Sequence, residues 1–393
     1  MASLQGPEPA GMNILSAYRE FISSPAQLAQ CRQATSVEQL LQQLKLLWRQ
    51  EALTDDQLVG ELALCNQQLH DVDVATLSGH WLPYCYQAKS RSIRWCLPSG
   101  HATEPFHDQY IERCRGQLLN QLITPKTSIT PLTTGQVTSA PLQPAGFIFH
   151  LSRCGSTLVS GCLAELDSTC VLSESPLLTE LLLDDSLDEK TKQHLLPQFI
   201  HLQSVTSPGR HNIIIKWNAW DIFFWPLIRS LYPQVPVLFL VRNPVEILAS
   251  HQRSAGRHMA GDQSMMVIKP IHDAANAASL DGFREKVLQS LLGSMDHAKN
   301  GDDVVTLDYS SLTLNKILEL ADYFQLHVDD NARSSMAARM TFHSKFPGQT
   351  FQSDERHKRD FYRSHQFPMP NTELLTLYRN VVYSDTLSLA GIY

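Results

Sequence analysis

The stretch from Gly146 to Leu166, GFIFHLSRCGSTLVSGCLAEL, constrains the fold of this chain more than any other. Phe147 to Leu151 form a short apolar run with one histidine, which suits a buried strand bounded by turn signals. Ser152, Arg153, Cys154, Gly155, Ser156 and Thr157 follow: small and polar residues, one glycine and one cation. Val159, Cys162, Leu163 and Leu166 then recur at i, i+3, i+4 and i+7, the apolar stripe of a helix. A strand, a small-residue turn and a helix start therefore meet in one short segment.

That arrangement has chemical consequences. The first turn of a helix leaves backbone N–H groups without partners, and the macrodipole adds partial positive charge there. Gly155 lets backbone approach a ligand closely, Ser156 and Thr157 add hydroxyls, and Arg153 adds a fork of donors suited to phosphate or sulfate oxygens. The segment reads as an anion cradle of the phosphate-loop kind. It lacks the nucleotide-hydrolase pattern, in which lysine directly follows the second glycine; here Ser156 follows Gly155 and the cation precedes the glycine. An ordinary strand-to-helix turn is the plain alternative.

A second segment, VPVLFLVRNPVEILAS, runs from Val235 to Ser250. Val237 to Val241 are continuously apolar, as in a strand buried on both faces. Arg242 closes that run, Pro244 stands where a helix can begin, and Ser250 lies about two helical turns on. The C-terminal ends of strands are where open α/β sheets bind ligands. Together, R-C-G-S-T at 153–157 and R-N-P at 242–244 with Ser250 resemble the sulfotransferases that use 3′-phosphoadenosine-5′-phosphosulfate (PAPS). The resemblance implies that Arg153, Cys154, Gly155, Ser156 and Thr157 hold the 5′-phosphosulfate. It also implies that Arg242 and Ser250 hold the 3′-phosphate, and that no metal is required.

The resemblance covers residues 145–325. It implies a phosphate-loop α/β fold, a three-layer parallel sheet with helices on both faces. Alternating strand and helix signals beyond residue 146 point the same way. VVTLDYSSL resembles the family's late strand, although Ser310 and Ser311 replace its acidic pair. Upstream, capping signals at Ser36 and Thr54 precede the stripes Val37, Leu40, Leu41, Leu44, Leu47 and Leu58, Leu62, Cys65, Leu69, which predict an antiparallel helical hairpin. Residues 104–123 read as one helix, and Trp81, Tyr84, Tyr86 and Trp95 as an aromatic cluster. His101, Glu104 and His107 have helix-like spacing but read as surface polarity, not a metal site. Residues 124–146, rich in Pro, Thr, Ser and Gln, read as a linker. The expected division is a mainly helical domain of unknown role at 1–140 and a sulfotransferase-like domain at 141–393.

A net charge of −7 argues against bulk nucleic-acid binding. The eight cysteines include no C-x-x-C pair and none beyond 170, which reads as free thiols in a reducing compartment. No secretory signal and no apolar run near ~20 residues is evident. The cytoplasm is the expected location, with no membrane span and no nucleic-acid partner. A small-molecule or carbohydrate acceptor is the expected partner, and a homodimer is compatible with the sequence.

The chemistry expected is sulfuryl transfer to a hydroxyl or amine. Arg153, which cannot shed its proton, stabilises the leaving phosphate and the sulfuryl oxygens. Many cytosolic family members place a basic histidine in a K-x-H segment; here Lys216-Trp217-Asn218 stands there, and asparagine cannot serve. Other branches use a glutamate after the second strand, which assigns the base to Glu174; a helix-cap carboxylate is its plain alternative. Lys216 is the expected second catalytic cation. Of the late basic residues Lys345, Arg356, Lys358 and Arg359, most read as a solvated charge run. The acceptor is expected against residues 251–280, including His258 and Met259, and against the N-terminal aromatic cluster. Two other readings stay open: a phosphate-loop kinase or nucleotide hydrolase, and a non-catalytic nucleotide-binding relative.

Overall fold

Five short apolar runs build one parallel sheet: β4 (Gly146–His150), β5 (Thr169–Ser173), β6 (Asn212–Lys216), β7 (Val237–Val241) and β8 (Val304–Asp308). Their order is β5-β6-β4-β7-β8, and every pairing is parallel. The computed structural model describes residues 13–133, 142–301, 303–343, 346–350, 355–365 and 367–383. The described chain divides into two compact units: Met1–Gly100 with Tyr110–Ala140 and His201–Thr206, and His101–Gln109 with Pro141–Ile200 and Ser207–Tyr393. The segments 101–109 and 201–206 thus belong to the unit opposite the one that a boundary at residue 140 gives them.

The strands are buried on both faces, and side-chain alternation explains how. Ile148, Ile214, Leu238, Leu240, Val305 and Leu307 pack with one layer of helices: α5 (Ser156–Ala164), α9 (Leu314–Tyr323) and α10 (Asp330–Arg339). Phe147, Phe149 and Phe239 point the other way, into an aromatic layer with Trp217, Tyr232 and Trp225. Trp225 opens helix α7 (Trp225–Leu231). This is a mixed α/β architecture with helices on both faces of the sheet. From β4 the chain runs to the β5 edge and back to β6, then crosses to β7 and β8. The connections out of β4 and β7 therefore leave in opposite directions, which opens a crevice at their C-terminal ends.

The first unit holds α1 (Ile14–Ile22), α2 (Pro25–Cys31), α3 (Val37–Trp48) and α4 (Asp55–Gln67). Thr54 caps α4 with the expected reciprocal bonds to Gln57. The unit is not purely helical: β1 (Leu82–Gln87), β2 (Ser92–Cys96) and β3 (Lys126–Ser128) form an antiparallel sheet. Trp81 and Trp95 have no exposed surface. Their indole N–H groups donate to the Ile22 carbonyl and the Thr127 hydroxyl at 2.8 and 2.9 Å. Both are core residues, so the expectation that they meet an acceptor fails. The helix expected over 104–123 is two, His107–Arg115 and Leu118–Leu122, interrupted at Gly116 and Gln117. Among the described residues no helix is long and apolar enough to cross a membrane.

Two glycines of the second unit make opposite predictions. A Cβ on Gly146 would lie 2.2 and 2.4 Å from ring carbons of Phe324, itself 2% exposed. Gly146→Ala should cost about 1–3 kcal/mol in urea denaturation. Gly293, inside the helix Leu280–Ala298, has nothing within 4 Å of its Cβ position. Gly293→Ala should instead gain about 0.5–1 kcal/mol.

Candidate active site

The turn after β4 is built from unusual backbone. Ser152, Arg153 and Gly155 have φ of 64°, 56° and 83°, in the left-handed region. Only glycine fits at 155, because a Cβ there would lie 2.9 Å from side-chain carbons of both Leu312 and Tyr309. Gly155 caps α5, whose first amides point outward with no acceptor of their own. Strain of this kind costs about 1–3 kcal/mol per residue and is held by its surroundings. Here the Arg153 guanidinium donates to the carbonyl and hydroxyl of Ser254, at 2.7 and 3.2 Å. Arg242, which follows β7, donates from Nη1 to the Arg153 carbonyl at 3.1 Å.

These loops wall one cavity of about 710 Å³ at the C-terminal edge of the sheet. Arg153, Gly155, Ser156, Thr157, Glu174, Arg242 and Ser250 all line it. Ser250 sits in α8 (Pro244–Arg253), capped by Asn243, whose side chain accepts from the Val245 amide at 3.0 Å. Cys154 does not line the cavity: its side chain has no exposure and packs among Ile148, Leu238 and Met336. Burial pushes its thiol up to about 11. Only its backbone is left for a ligand.

Glu174, Lys216 and His150 sit at the ends of three neighbouring strands, β5, β6 and β4. Glu174 has φ 55° and donates its N–H to the Lys216 carbonyl at 2.7 Å. Its Oε1 lies 2.6 Å from Lys216 Nζ and 3.3 Å from His150 Nε2. The Ser152 amide donates to His150 Nδ1 at 3.0 Å, so the neutral ring carries its proton on Nε2, facing the carboxylate. Burial alone would raise Glu174. The Lys216 ammonium, then His150, outweigh it and hold the carboxyl well below the usual carboxylate range. Lys216 is fully buried, 3.3 Å from the Thr157 hydroxyl and above the Phe106 ring. It is not on the cavity wall: it stands behind Glu174 and Thr157, reaching the hollow only through them. Asn218 does line the cavity, but as an N-cap: its backbone amide donates to Asp221 Oδ2 at 2.8 Å and its side-chain amide donates to the Thr179 hydroxyl at 2.6 Å. Burial raises Asp221 to about 7.

Several lining residues were not singled out from the sequence. Arg253 lies three residues after Ser250, on the same helix face, a spacing that could have revealed it. Tyr309, from the segment that lacks the expected acidic pair, lies under the Arg242 guanidinium at 4.0 Å. His150, Phe106 and Trp220 carry no motif signal. Of residues 251–280, His258 lines the cavity, whereas Met259 has no exposure and is core. Burial pushes His258 down to about 3, so it is neutral. Of the late basic residues, Lys358 is 8% exposed and lines the cavity, against the expectation of a solvated charge. Arg359 pairs with Glu246, and Arg356 is exposed. Lys345 lies outside the described residues. Among the described residues no group of His, Cys, Asp and Glu is arranged to hold a metal.

No family model and no curated protein matches this chain. Solved structures do. The sulfotransferase domain from the curacin biosynthetic pathway matches at TM-score 0.41 and 15% identity, over 62% of this chain and 99% of that one. A sulfotransferase from Mycobacterium avium matches at TM-score 0.39 and 9% identity, over 81% of this chain and 98% of that one. A mouse sulfotransferase complexed with PAP matches at TM-score 0.30 and 12% identity, over 65% of this chain and 82% of that one. Likenesses this distant do not carry function.

The Glu174 cluster predicts a signed pH dependence. A carboxyl held below its ordinary value of 4.5 contributes stability that is complete above that pH and is lost as pH falls toward the folded value. Glu174→Gln leaves Lys216 buried without its partner and should cost about 3–5 kcal/mol at neutral pH. Urea denaturation of both proteins at descending pH should show that gap narrowing below about pH 4.5. A gap that stays constant would contradict the ion pair.

Proposed function

We propose that this protein is a sulfotransferase, moving the sulfuryl group of PAPS to a hydroxyl of an acceptor. The observation that carries the reading is the single cavity in which the strained loop at 152–157 and the Arg242–Ser250 pair face one another, tied by the bond from Arg242 to the Arg153 carbonyl. Two sets of anion-binding groups on one cavity suit a ligand that carries more than one phosphate. The amides of 155–157, the hydroxyls of Ser156 and Thr157, and Arg153 hold the 5′-phosphosulfate. Arg242 and Ser250 hold the 3′-phosphate by charge-assisted and hydroxyl hydrogen bonds.

In the reaction a sulfur–oxygen bond forms to the acceptor oxygen, and the bond from sulfur to the 5′-phosphate oxygen breaks. The products are a sulfate ester and adenosine 3′,5′-bisphosphate. Arg153 and the helix-start amides stabilise charge on the leaving phosphate, as positioned donors do in phosphoryl transfer. Glu174 receives the acceptor proton; the Lys216 ammonium and His150 keep it ionised at neutral pH, so it is free to accept, though as a weak base. Lys216 acts through Glu174 and Thr157, holding both in place. The neutral His258 and the indole of Trp220 mark the acceptor's end of the cavity. A kinase reading lacks both the Gly-Lys pair after the first strand and an acidic residue at the end of β7, where Arg242 stands.

Thermal unfolding tests the donor. Adenosine 3′,5′-bisphosphate should raise the melting temperature of the wild type, and Ser250→Ala with Arg242→Gln should weaken its binding by roughly ten- to a hundredfold. Protection by Mg-ATP without protection by the bisphosphate would contradict the reading. Turnover tests the chemistry. With labelled donor and an acceptor panel, Glu174→Ala should lower kcat by about 10²- to 10⁴-fold. Unchanged turnover would remove Glu174 from its role.

A further inference from the structure

A carboxylate stands where an anion site should repel one. Glu246, 2% exposed, lies one turn after Arg242, and its Oε2 accepts from Arg242 Nε at 2.7 Å. Alone, that pair would attract a phosphate much less than a free guanidinium does, because the carboxylate offsets much of the cation's field nearby. The other oxygen, Oε1, accepts from Arg359 Nε at 2.6 Å. Arg359 comes from α11 (Glu355–Ser364), far along the chain. The three groups, Arg242, Glu246 and Arg359, sum to one positive charge.

We propose that Arg359 is a positioning residue for the donor's 3′-phosphate, acting through Glu246. It neutralises the carboxylate that aims Arg242, so that Arg242 keeps its attraction for a dianion. The proposal rests on the donor reading above and deepens it. The division of labour follows from the geometry. Glu246 takes the Nε edge of Arg242, Arg153's carbonyl takes Nη1, and the Tyr309 ring lies under the guanidinium plane at 4.0 Å. Three contacts fix one orientation of a planar group, which a carboxylate does better than a neutral acceptor. That fixation costs a negative charge beside the phosphate, and Arg359 offsets it. Arg359 is 45% exposed and does not line the cavity, so it works without touching the ligand.

The helix that carries Arg359 has a second anchor. The Arg253 guanidinium lies over the Phe361 ring at 4.4 Å, joining α8 to α11 independently of the ion pair. Lys358, the neighbouring residue, reaches the cavity wall from the same helix. Loss of the Arg359 charge therefore need not undock α11.

The test compares two ligands by calorimetry: adenosine 3′,5′-bisphosphate and adenosine 5′-monophosphate, which lacks the 3′-phosphate. Arg359→Ala should weaken the bisphosphate roughly tenfold and leave the monophosphate unchanged. Arg359→Lys should retain most of the preference. Adding Glu246→Gln to Arg359→Ala should restore bisphosphate affinity, since both the uncompensated charge and its neutraliser are then gone. A merely structural Arg359 would weaken both ligands and would not be rescued by Glu246→Gln; either result overturns the proposal, as does an unchanged preference in Arg359→Ala. A wild type that binds both ligands equally would overturn the donor reading itself and the proposal with it.

Discussion

The pairing of β4 with β7 is the constraint on which the site depends. Register places His150 beside Leu240, so the chains leaving the two strands start from the same edge. One leads into the strained turn with Arg153, the other into Arg242. The bond from Arg242 Nη1 to the Arg153 carbonyl closes a contact between residues 89 apart in the chain. A guanidinium used this way does two things at once. It satisfies a backbone carbonyl that left-handed residues would otherwise strand, and it holds its own charge at the mouth of the helix. Backbone strain at 152–155 and the buried arginine therefore support each other, and neither makes sense as a local feature.

Buried charge follows the same logic on the other side of the cavity. Lys216 and Glu174 sit at paired strand ends, where strand register brings their loops together. Desolvating both is costly, and removing one would cost more than removing both. The arrangement makes sense if the carboxylate is to remain ionised beside an anionic ligand, a position in which an isolated glutamate would take up a proton. Lys216 keeps the charge on Glu174 by standing behind it, and His150 fixes its direction. Arg153 and Arg242 face the cavity directly, and Glu174 is near enough to Arg153 to favour its charge.

Much of this was legible in the sequence, for physical reasons. A five-residue apolar run ending in small residues or Arg-Asn-Pro has few places to go except a buried parallel strand, so β4 and β7 and the turns after them could be placed. Arg242 and Ser250 followed from the resemblance carried by R-N-P and the serine after it, and both line the cavity. What depended on depth could not be read. Lys216 ends a strand much as Arg242 follows one, yet lies behind the wall; Cys154 sits inside the motif, yet turns into the core. Between β6 and β7 a tight 3₁₀ turn runs from Ala219 to Phe224, and the α-helix begins only at Trp225. Pro226 explains the break: lacking an N–H, it is tolerated only in a first turn. Gly116 explains the interruption of the helix near residue 116 in a similar way. Arg359 looked like solvated charge because its partner Glu246 lies 113 residues away in sequence, and Lys358 because the cavity it lines is built from many distant segments.

The central claim is that one ligand bridges the loop at 152–157 and the Arg242–Ser250 pair. A crystal structure with adenosine 3′,5′-bisphosphate tests it most directly. The account predicts the 5′-phosphate within hydrogen-bonding distance of the amides of 155–157 and the 3′-phosphate on Arg242 and Ser250, in the same cavity. A bisphosphate bound elsewhere, or one that engages the loop while its 3′-phosphate points away from Arg242, would contradict it.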